Sequence, residues 1–224
     1  MERLAEVTFG PLEDGQTRIL FLLSGLGDEP QASSADRRAL SDQARILAQA
    51  GVRLAAGYSS PNLWASEICV ITLRSNFEGL EDNHLGPAHA FSDRHLGGLP
   101  VVCPAKHQQL YRQARTPPSR SPFNTLAASP DLLGEVRRLA FAGVQTIRLA
   151  AIEHNGGNIL AVLPSIHLEA IMAHLRQPER PDDTHLISPA QVLDHLMLAE
   201  AIVDRDGLTS SERFFFPPPR QSHL

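Results

Sequence analysis

The chain has 224 residues and a hydrophobic fraction of 42%, which suits one folded core and argues against a disordered polypeptide. Its net charge of −5, with scattered arginines and Lys106 as the single lysine, excludes the basic patch that nucleic-acid binding requires. No run of about 18 apolar residues is present, so we expect no membrane span and a cytoplasmic location. Cys69 and Cys103 match no metal spacing; we expect buried thiols, no metal and no cofactor.

The first half of the chain predicts two strands, each followed by a helix. Residues 18–23 form a short apolar run that ends at a glycine-containing loop, which is typical of a buried strand. Apolar residues at helical spacing then predict a helix that begins near Ser41, the expected N-cap. A second strand is expected at 54–58. The turn Ser59-Ser60-Pro61 follows it and leads into a helix over 62–73.

The second half begins with an irregular stretch and then returns to regular elements. Residues 75–125 hold many glycines, prolines and histidines and are interpreted as a loop-rich insertion. Ser129-Pro130 supplies an N-cap and an N1 proline, so we expect a helix from there to about residue 153. A third buried strand at 159–163 leads into a helix over 166–175. The last predicted element is a helix over about 188–204.

Alternating strands and helices predict an α/β fold, specifically a three-layer α/β/α sandwich with a mostly parallel central sheet. We expect one domain over 1–205 and a C-terminal tail over 206–224. The tail carries Phe214, Phe215 and Phe216 before three prolines, and such a sequence favours an extended conformation. We expect the tail either to pack over its own domain or to dock on a partner protein or a second copy of the chain.

The order of these pieces resembles that of the histidine phosphatase superfamily, whose members are phosphoglycerate mutase-like, and especially the short bacterial phosphohistidine phosphatases. Residues 36–41, Asp-Arg-Arg-Ala-Leu-Ser, resemble the approach to the first helix of that family. Residues 58–63, Tyr-Ser-Ser-Pro-Asn-Leu, resemble its Ser-Ser-Pro turn. Residues 93–97, Asp-Arg-His-Leu-Gly, resemble the segment ahead of its insertion, and 159–163 resemble its late strand. The resemblance covers about residues 18–176 and implies the histidine-phosphatase-like fold.

The resemblance is weak at the residues that would carry chemistry. In the family one histidine attacks phosphorus, while arginines and a second histidine bind the phosphoryl oxygens. The matching positions here hold Gly25 for the first arginine, Leu26 for the nucleophile, Trp64 for the second arginine and Pro164 for the second histidine. The acid of the family has no clear match, with Asn124 the nearest candidate. The resemblance therefore implies a degenerate pocket and a binding, scaffold or regulatory protein.

With Leu26 and Trp64 at its mouth, a residual pocket at these positions is either closed by its own side chains or binds an apolar or aromatic ligand. Its candidate ligand-contacting residues are Ser24, Gly27, Ser59, Ser60, Ser165 and His167. A divergent active phosphatase is the alternative, in which His167, His95 or His154 replaces the missing histidine. Because ten histidines are scattered along the chain, one near a pocket is expected by chance, and we expect a surface or hydrogen-bonded role for each.

An α/β-hydrolase is a third alternative. Residues 57–61, Gly-Tyr-Ser-Ser-Pro, resemble a nucleophile elbow with Ser59 as the nucleophile and His185 or His195 as the base. The elbow requires a glycine at position 61, where this chain has a proline, so this alternative is disfavoured.

Two further patterns are weaker still. The sequence Gly25-Leu26-Gly27 follows a strand, but the third glycine of a dinucleotide-binding fingerprint is absent because position 30 is Pro30. A zinc site is conceivable in the irregular region, although loop histidines without cysteines at fixed spacing rarely bind zinc. Its candidate ligands are His84, His89, Asp93 and His95.

Overall fold

A computed structural model describes residues 2–24, 33–80, 88–96, 130–176, 196–205 and 209–216. Within these ranges one sheet has the strand order β1-β7-β6-β2-β5-β3-β4. Its strands are β1 Glu2–Arg3, β2 Thr17–Leu23, β3 Leu54–Ser59, β4 His89–Ser92, β5 Asn158–Leu163, β6 Leu198–Val203 and β7 Thr209–Phe216. The helices are α1 Ser34–Gln49, α2 Leu63–Glu78, α3 Pro130–Glu153 and α4 Ser165–Arg176.

The sheet is mixed but mostly parallel. Parallel pairs join β2 to β5, β5 to β3, β3 to β4 and β1 to β7, whereas β6 is antiparallel to both β2 and β7. Helices cover both faces, so β2 and β5 are buried on both sides, and each strand has an uninterrupted apolar run, 19–23 in β2 and 159–163 in β5. The predicted fold class, a three-layer α/β/α sandwich, is confirmed.

Two hydrophobic clusters fill the space on either side of the sheet. Ile19, Phe21 and Leu23 of β2 pack with residues of α3 and α4. Leu20 and Leu22, which alternate with them, pack with residues of α1 and α2. No helix in the described part of the chain is long and apolar enough to cross a membrane.

Helix α1 begins earlier than the sequence predicted. Ser33 is its N-cap and forms a capping box with Asp36: the Ser33 hydroxyl accepts from the Asp36 N–H at 3.1 Å, and the Asp36 carboxylate accepts from the Ser33 N–H at 3.2 Å. The prediction that Ser41 caps this helix is wrong. Ser41 lies inside α1, where its hydroxyl is 3.0 Å from that of Ser75 on α2.

The largest correction concerns the C-terminal part of the chain. A helix was predicted over 188–204, but residues 198–203 form strand β6; residues 188–195 lie outside the described residues. Residues 209–216, in the stretch assigned to a tail, form β7 between β1 and β6. The sheet therefore extends past residue 205, and Phe214, Phe215 and Phe216 contribute backbone to it.

The irregular stretch is shorter than predicted. Residues 75–78 complete α2, and 89–92 form the edge strand β4, which pairs with β3. Residues 81–87 and 97–129 lie outside the described residues.

Candidate functional site

Strands β2, β5 and β3 end at the same edge of the sheet. The Ser24 N–H donates to the Leu163 carbonyl at 2.9 Å, and the Ser60 N–H donates to the Val162 carbonyl at 3.0 Å. The sequence-predicted residues Ser24, Ser59, Ser60 and Pro164 thus meet at one place, which we call the carboxyl edge. Ligands of open α/β sheets bind in the crevice outside the carboxyl ends of the strands, so this edge is the candidate site.

The polar groups at the end of β3 bond to one another. The Ser59 hydroxyl lies 3.3 Å from the Ser66 hydroxyl and donates to the Phe91 carbonyl at 3.4 Å. The Ser60 hydroxyl accepts from the Asn62 N–H at 3.3 Å. Ser59 and Ser60 are both buried, so their hydroxyls serve the local fold.

The first turn of α2 is capped by its own sequence. Asn62 is the N-cap, and its side-chain oxygen accepts from the Trp64 N–H at 2.8 Å. The Trp64 side chain is buried in the cluster on the α1–α2 side of the sheet, with Leu20 and Leu22. Trp64 therefore packs in the core and is not presented to a ligand at the helix terminus.

His167 lies one turn into α4, where its N–H donates to the Pro164 carbonyl at 3.1 Å. Its imidazole is on the side of α4 that packs on the core with Leu168 and Ile171, and it is only 6% exposed. Among the described residues, neither ring nitrogen has a hydrogen-bond partner. Burial lowers its pKa to about 4, so the ring is neutral near pH 7. The expectation of a surface or hydrogen-bonded histidine is wrong here, because the helix turns this position inward.

Asp93 and His95 follow the edge strand β4 and reach the same edge. The Asp93 N–H donates to the Ser59 carbonyl at 2.9 Å. The Asp93 Oδ1 accepts from the His95 N–H at 2.7 Å and lies 3.1 Å from His95 Nδ1. Both side chains are partly exposed, at 33% and 45%. The sequence predicted Asp93 only as a zinc ligand and His95 as a zinc ligand or a replacement histidine, and the Asp-x-His spacing was the signal for a carboxylate–imidazole pair.

The described residues contain no group of three or more histidine, cysteine or acidic side chains able to hold a metal ion. His89 lies exposed on β4, near the Phe91 ring, and His84 lies outside the described residues.

His154, the third candidate replacement histidine, follows α3 and is engaged elsewhere. Its Nε2 lies 3.1 Å from the Tyr58 hydroxyl, so the expected hydrogen-bonded role is confirmed for this residue. Burial, followed by the charge of Glu153 and its hydrogen bond, raises the pKa of Tyr58 to about 12.

Ser59 does not sit at a nucleophile elbow. It is the last residue of β3, and Leu196 is the one non-glycine residue with positive φ in the described part of the chain. The strained strand-to-helix turn of an α/β-hydrolase is therefore absent at Ser59 and Ser60. The proposed bases His185 and His195 lie outside the described residues.

Several other predicted site residues also lie outside the described residues: Gly25, Leu26, Gly27, Asn124 and Cys103. Ser165 is the first residue of α4. Cys69 is a buried free thiol, as predicted, and burial raises its pKa to about 12.

No family model matches this chain, and neither does any curated protein. Solved structures do match. A phosphoglycerate mutase from Bacillus anthracis str. Sterne aligns with a TM-score of 0.58 at 14% identity, covering 88% of this chain and 92% of that one. A phosphoserine phosphatase from Entamoeba histolytica, in complex with 3-phosphoglyceric acid, aligns at 0.56 and 12%, covering 89% and 97%. A mycobacterial glucosyl-3-phosphoglycerate phosphatase aligns at 0.55 and 16%, covering 88% and 96%. These similarities establish a shared fold.

Proposed function

We propose that this chain, which has the fold of the histidine phosphatase superfamily as its sequence predicted, is a catalytically degenerate relative that acts by binding. Its role is that of a scaffold or regulatory protein which does not hydrolyse phosphate esters. The observation that carries the proposal is the composition of the carboxyl edge. The described residues that directly follow β2, β3 and β5 contain no arginine or lysine.

A phosphoryl group is an anion, and enzymes that transfer it hold its oxygens with cations and preorganised donors. The described residues that directly follow the three central parallel strands are instead neutral: Ser24 after β2, Ser60 after β3 and Pro164 after β5. Proline offers no N–H donor at its own position. This composition favours a neutral ligand or a protein contact over a phosphate ester.

The polar side chains near β3 already form hydrogen bonds with neighbouring groups. The Ser59 hydroxyl lies within hydrogen-bond distance of the Ser66 hydroxyl and donates to the Phe91 carbonyl, and the Ser60 hydroxyl accepts from the Asn62 N–H. The Asn62 side-chain oxygen accepts from the first turn of α2. Turning these groups toward an oxyanion would break bonds that now satisfy buried atoms, at a cost of about 1–3 kcal/mol for each.

His167 does not supply the missing nucleophile. A nucleophilic histidine needs access to phosphorus and a partner that orients its ring. The His167 ring is buried and has no described hydrogen-bond partner. Both requirements are therefore unmet by the described residues.

A divergent phosphatase is the second candidate, and the Asp93–His95 pair favours it. This pair is the one histidine–carboxylate pair described at the carboxyl edge, and Arg94 between its members is an exposed cation. In that case the nucleophile would have moved from the end of β2 to the segment after β4.

The test is phosphate release by the purified full chain. The substrate panel comprises an aryl phosphate, a phosphohistidine-containing protein, phosphoserine, 3-phosphoglycerate and a glucosyl phosphoglycerate; the last three are compounds that appear in the names of the structurally similar proteins. We expect no release above background for any of them. His167→Gln and His95→Gln variants, purified identically, serve as controls for contaminating phosphatases.

Release that scales with protein concentration and disappears in His95→Gln would establish the second candidate. Release that disappears in His167→Gln would show that the buried ring becomes accessible. Release that is equal in all three proteins and is lost on further purification would identify a contaminant. Release that is equal in all three proteins and persists through further purification would contradict the degenerate assignment.

A further inference from the structure

We propose that the solvent-facing side of α3 binds the same side of a second copy of this chain, so that two chains associate through a pair of antiparallel α3 helices. The association uses a surface other than the carboxyl edge, and it does not depend on the proposed function. Five residues of α3 form this surface, which we call the α3 stripe: Arg138, Phe141, Gln145, Leu149 and Ile152.

The α3 stripe is apolar although it faces solvent. Phe141, Leu149 and Ile152 are 54%, 67% and 63% exposed, and they are half of the large hydrophobic side chains that are exposed in the described part of the chain. The core-facing side of α3 is built from other residues, such as the fully buried Val144 and Ile147. A helix that only covers a core carries polar residues on its outer side. The apolar stripe therefore indicates a contact that one chain alone does not complete.

The spacing of the α3 stripe reads the same in both directions along the helix. Its members are three, four, four and three residues apart, which keeps them on one side of an α-helix, and Gln145 is the middle member. Two antiparallel copies of α3 that meet at Gln145 therefore place each member opposite a member of the other copy. A two-fold symmetric dimer requires such a self-complementary surface.

The residues that would face each other match in chemistry as well as in position. Phe141 faces Leu149 of the second copy, so an apolar pair forms on each side of the symmetry axis. Gln145 faces Gln145 of the second copy, and the two amides can exchange hydrogen bonds because each carries both donors and an acceptor. A polar pair at the centre of an apolar helix contact fixes its register.

The two ends of the α3 stripe are complementary in charge. Arg138 faces Ile152 of the second copy and lies beside Glu153 of that copy, and both charged residues are exposed. Opposite charges then meet at each end of the contact, whereas a parallel pair would place Arg138 opposite Arg138. A lipid bilayer, which also accepts an apolar helix face, requires neither the symmetric spacing nor the acid at one end. The charges therefore favour a second copy in the antiparallel arrangement.

Phe141 is positioned before the contact forms. Its ring meets the His174 ring of α4 edge-on, with the ring centroids 5.9 Å apart and the ring planes at 83°. A side chain that already has one orientation loses less conformational entropy on binding. Aromatic anchors carry a large share of the binding energy of protein interfaces, so loss of Phe141 should weaken the dimer most.

The first test is sedimentation equilibrium of the full chain near neutral pH over a range of concentrations. We expect a reversible monomer–dimer equilibrium with a dissociation constant below about 1 mM, since one helix pair forms a small interface. Phe141→Ser should weaken the association at least about tenfold. The matched control is Val70→Ser, which removes an apolar side chain of α2 that is 53% exposed, and it should dimerise as the wild type does.

Charge reversal tests the antiparallel register. Arg138→Glu and Glu153→Arg should each weaken the dimer, because each places like charges together at both ends of the contact. The Arg138→Glu/Glu153→Arg double variant should restore association toward the wild-type constant, since the ion pairs form again with their charges exchanged. Disruption of α3 by either substitution would not be reversed by the other.

A cysteine at the symmetry axis tests the geometry independently of affinity. In a Cys103→Ser background, Gln145→Cys should form an interchain disulfide under mild oxidation, because residue 145 meets its own copy at the short Cβ–Cβ distance that a disulfide requires. Val70→Cys in the same background should crosslink no faster than the background itself. The remaining native thiol, Cys69, is buried.

Three results would overturn the proposal: a wild-type chain that stays monomeric at about 1 mM, a dimer that Phe141→Ser leaves unchanged, or Gln145→Cys chains that crosslink no faster than Val70→Cys chains. The first does not depend on how any variant folds. Binding to phosphatidylserine vesicles that requires Phe141, without dimerisation in solution, would assign the α3 stripe to a membrane surface and would also overturn the proposal.

Discussion

The Arg18 guanidinium of β2 and the Glu200 carboxylate of β6 form an ion pair of 2.6 Å, with the Glu200 side chain fully buried. The other Glu200 oxygen accepts from Arg213 Nε of β7 at 2.5 Å. The Phe9 ring lies against both guanidiniums, at 5.3 and 5.4 Å from their central carbons. The Glu200 carboxylate thus connects three neighbouring strands, β2, β6 and β7. The two guanidiniums that it binds also contact Phe9 of the N-terminal segment.

We expect Glu200→Ala to lower the free energy of unfolding by about 3–5 kcal/mol, because two guanidiniums would lose the buried charge that compensates them. The measurement is equilibrium unfolding in urea, followed by circular dichroism.

The matched control for Glu200 is Asp14→Ala, which removes the acid of the exposed Arg205–Asp14 pair at 3.2 Å. An exposed pair contributes little, so no measurable change is expected. If Glu200→Ala is as stable as Asp14→Ala, then the carboxylate does not hold the three strands together.

The contacts among Arg18, Glu200 and Arg213 explain why the prediction of a helix over 188–204 was wrong at strand β6. Residues 198–203, Leu-Ala-Glu-Ala-Ile-Val, contain good helix formers and a glutamate that would be costly in a buried strand. The strand is stable because Glu200 meets Arg18 and Arg213, which lie 182 and 13 residues away along the chain. Local patterns do not reveal such partners. The parallel strands β2, β3 and β5 were predictable because a short apolar run indicates a buried strand without reference to any distant residue.

The buried His167 makes stability depend on pH. Its folded pKa of about 4 is below the value of an unperturbed histidine, about 6.5, so the unfolded chain binds the extra proton between these two values. The free energy of unfolding is therefore unaffected by His167 above about pH 6.5. It falls as the pH drops toward 4, by roughly 3 kcal/mol in total.

We expect His167→Leu to remove that part of the pH dependence, as measured by urea unfolding at pH 7.5 and pH 4.5. The exposed His89→Asn variant should keep the wild-type dependence. If the free energy of unfolding of His167→Leu changes between pH 7.5 and pH 4.5 as much as that of the wild type, then the His167 ring is solvated or hydrogen-bonded in solution.

The candidate site was only partly predictable from sequence. The Ser-Ser-Pro turn and the strand ends placed Ser24, Ser59, Ser60 and Pro164 together, because parallel strands end at one edge of a sheet. The orientation of His167 was not predictable, since it depends on which face of α4 packs on the core. The Asp93–His95 contact was missed because a short edge strand inside an irregular stretch has a weak pattern.

Gly57 of β3 provides a packing test. A Cβ at this position would lie 2.6 Å from the Cys69 sulfur and 2.8 Å from a Leu73 methyl carbon, both on α2. We expect Gly57→Ala to lower the free energy of unfolding by about 1–3 kcal/mol. In a Cys69→Ala background the cost of Gly57→Ala should be smaller, because the nearer obstacle is gone. A double-mutant cycle measures this coupling, and additive effects would contradict the close approach.

Replacing Ser59 by alanine separates the hydrolase alternative from the degenerate one. The hydroxyl is buried and its hydrogen bonds are long, at 3.3 and 3.4 Å, so we expect a loss of about 1 kcal/mol in unfolding free energy or less. With p-nitrophenyl acetate, wild type and Ser59→Ala should release nitrophenol at the same background rate. Loss of turnover specific to Ser59→Ala would restore Ser59 as a nucleophile.

The central claim is that the carboxyl edge does not hold a phosphoryl anion, and anion binding tests it most directly. Isothermal titration of the full chain with orthovanadate, and separately with inorganic phosphate, should give no saturable heat at millimolar anion, because neutral Ser24, Ser60 and Pro164 follow the strands at this edge. Saturable micromolar binding of vanadate, competed by phosphate, would contradict the claim and would show that an oxyanion site persists in this fold.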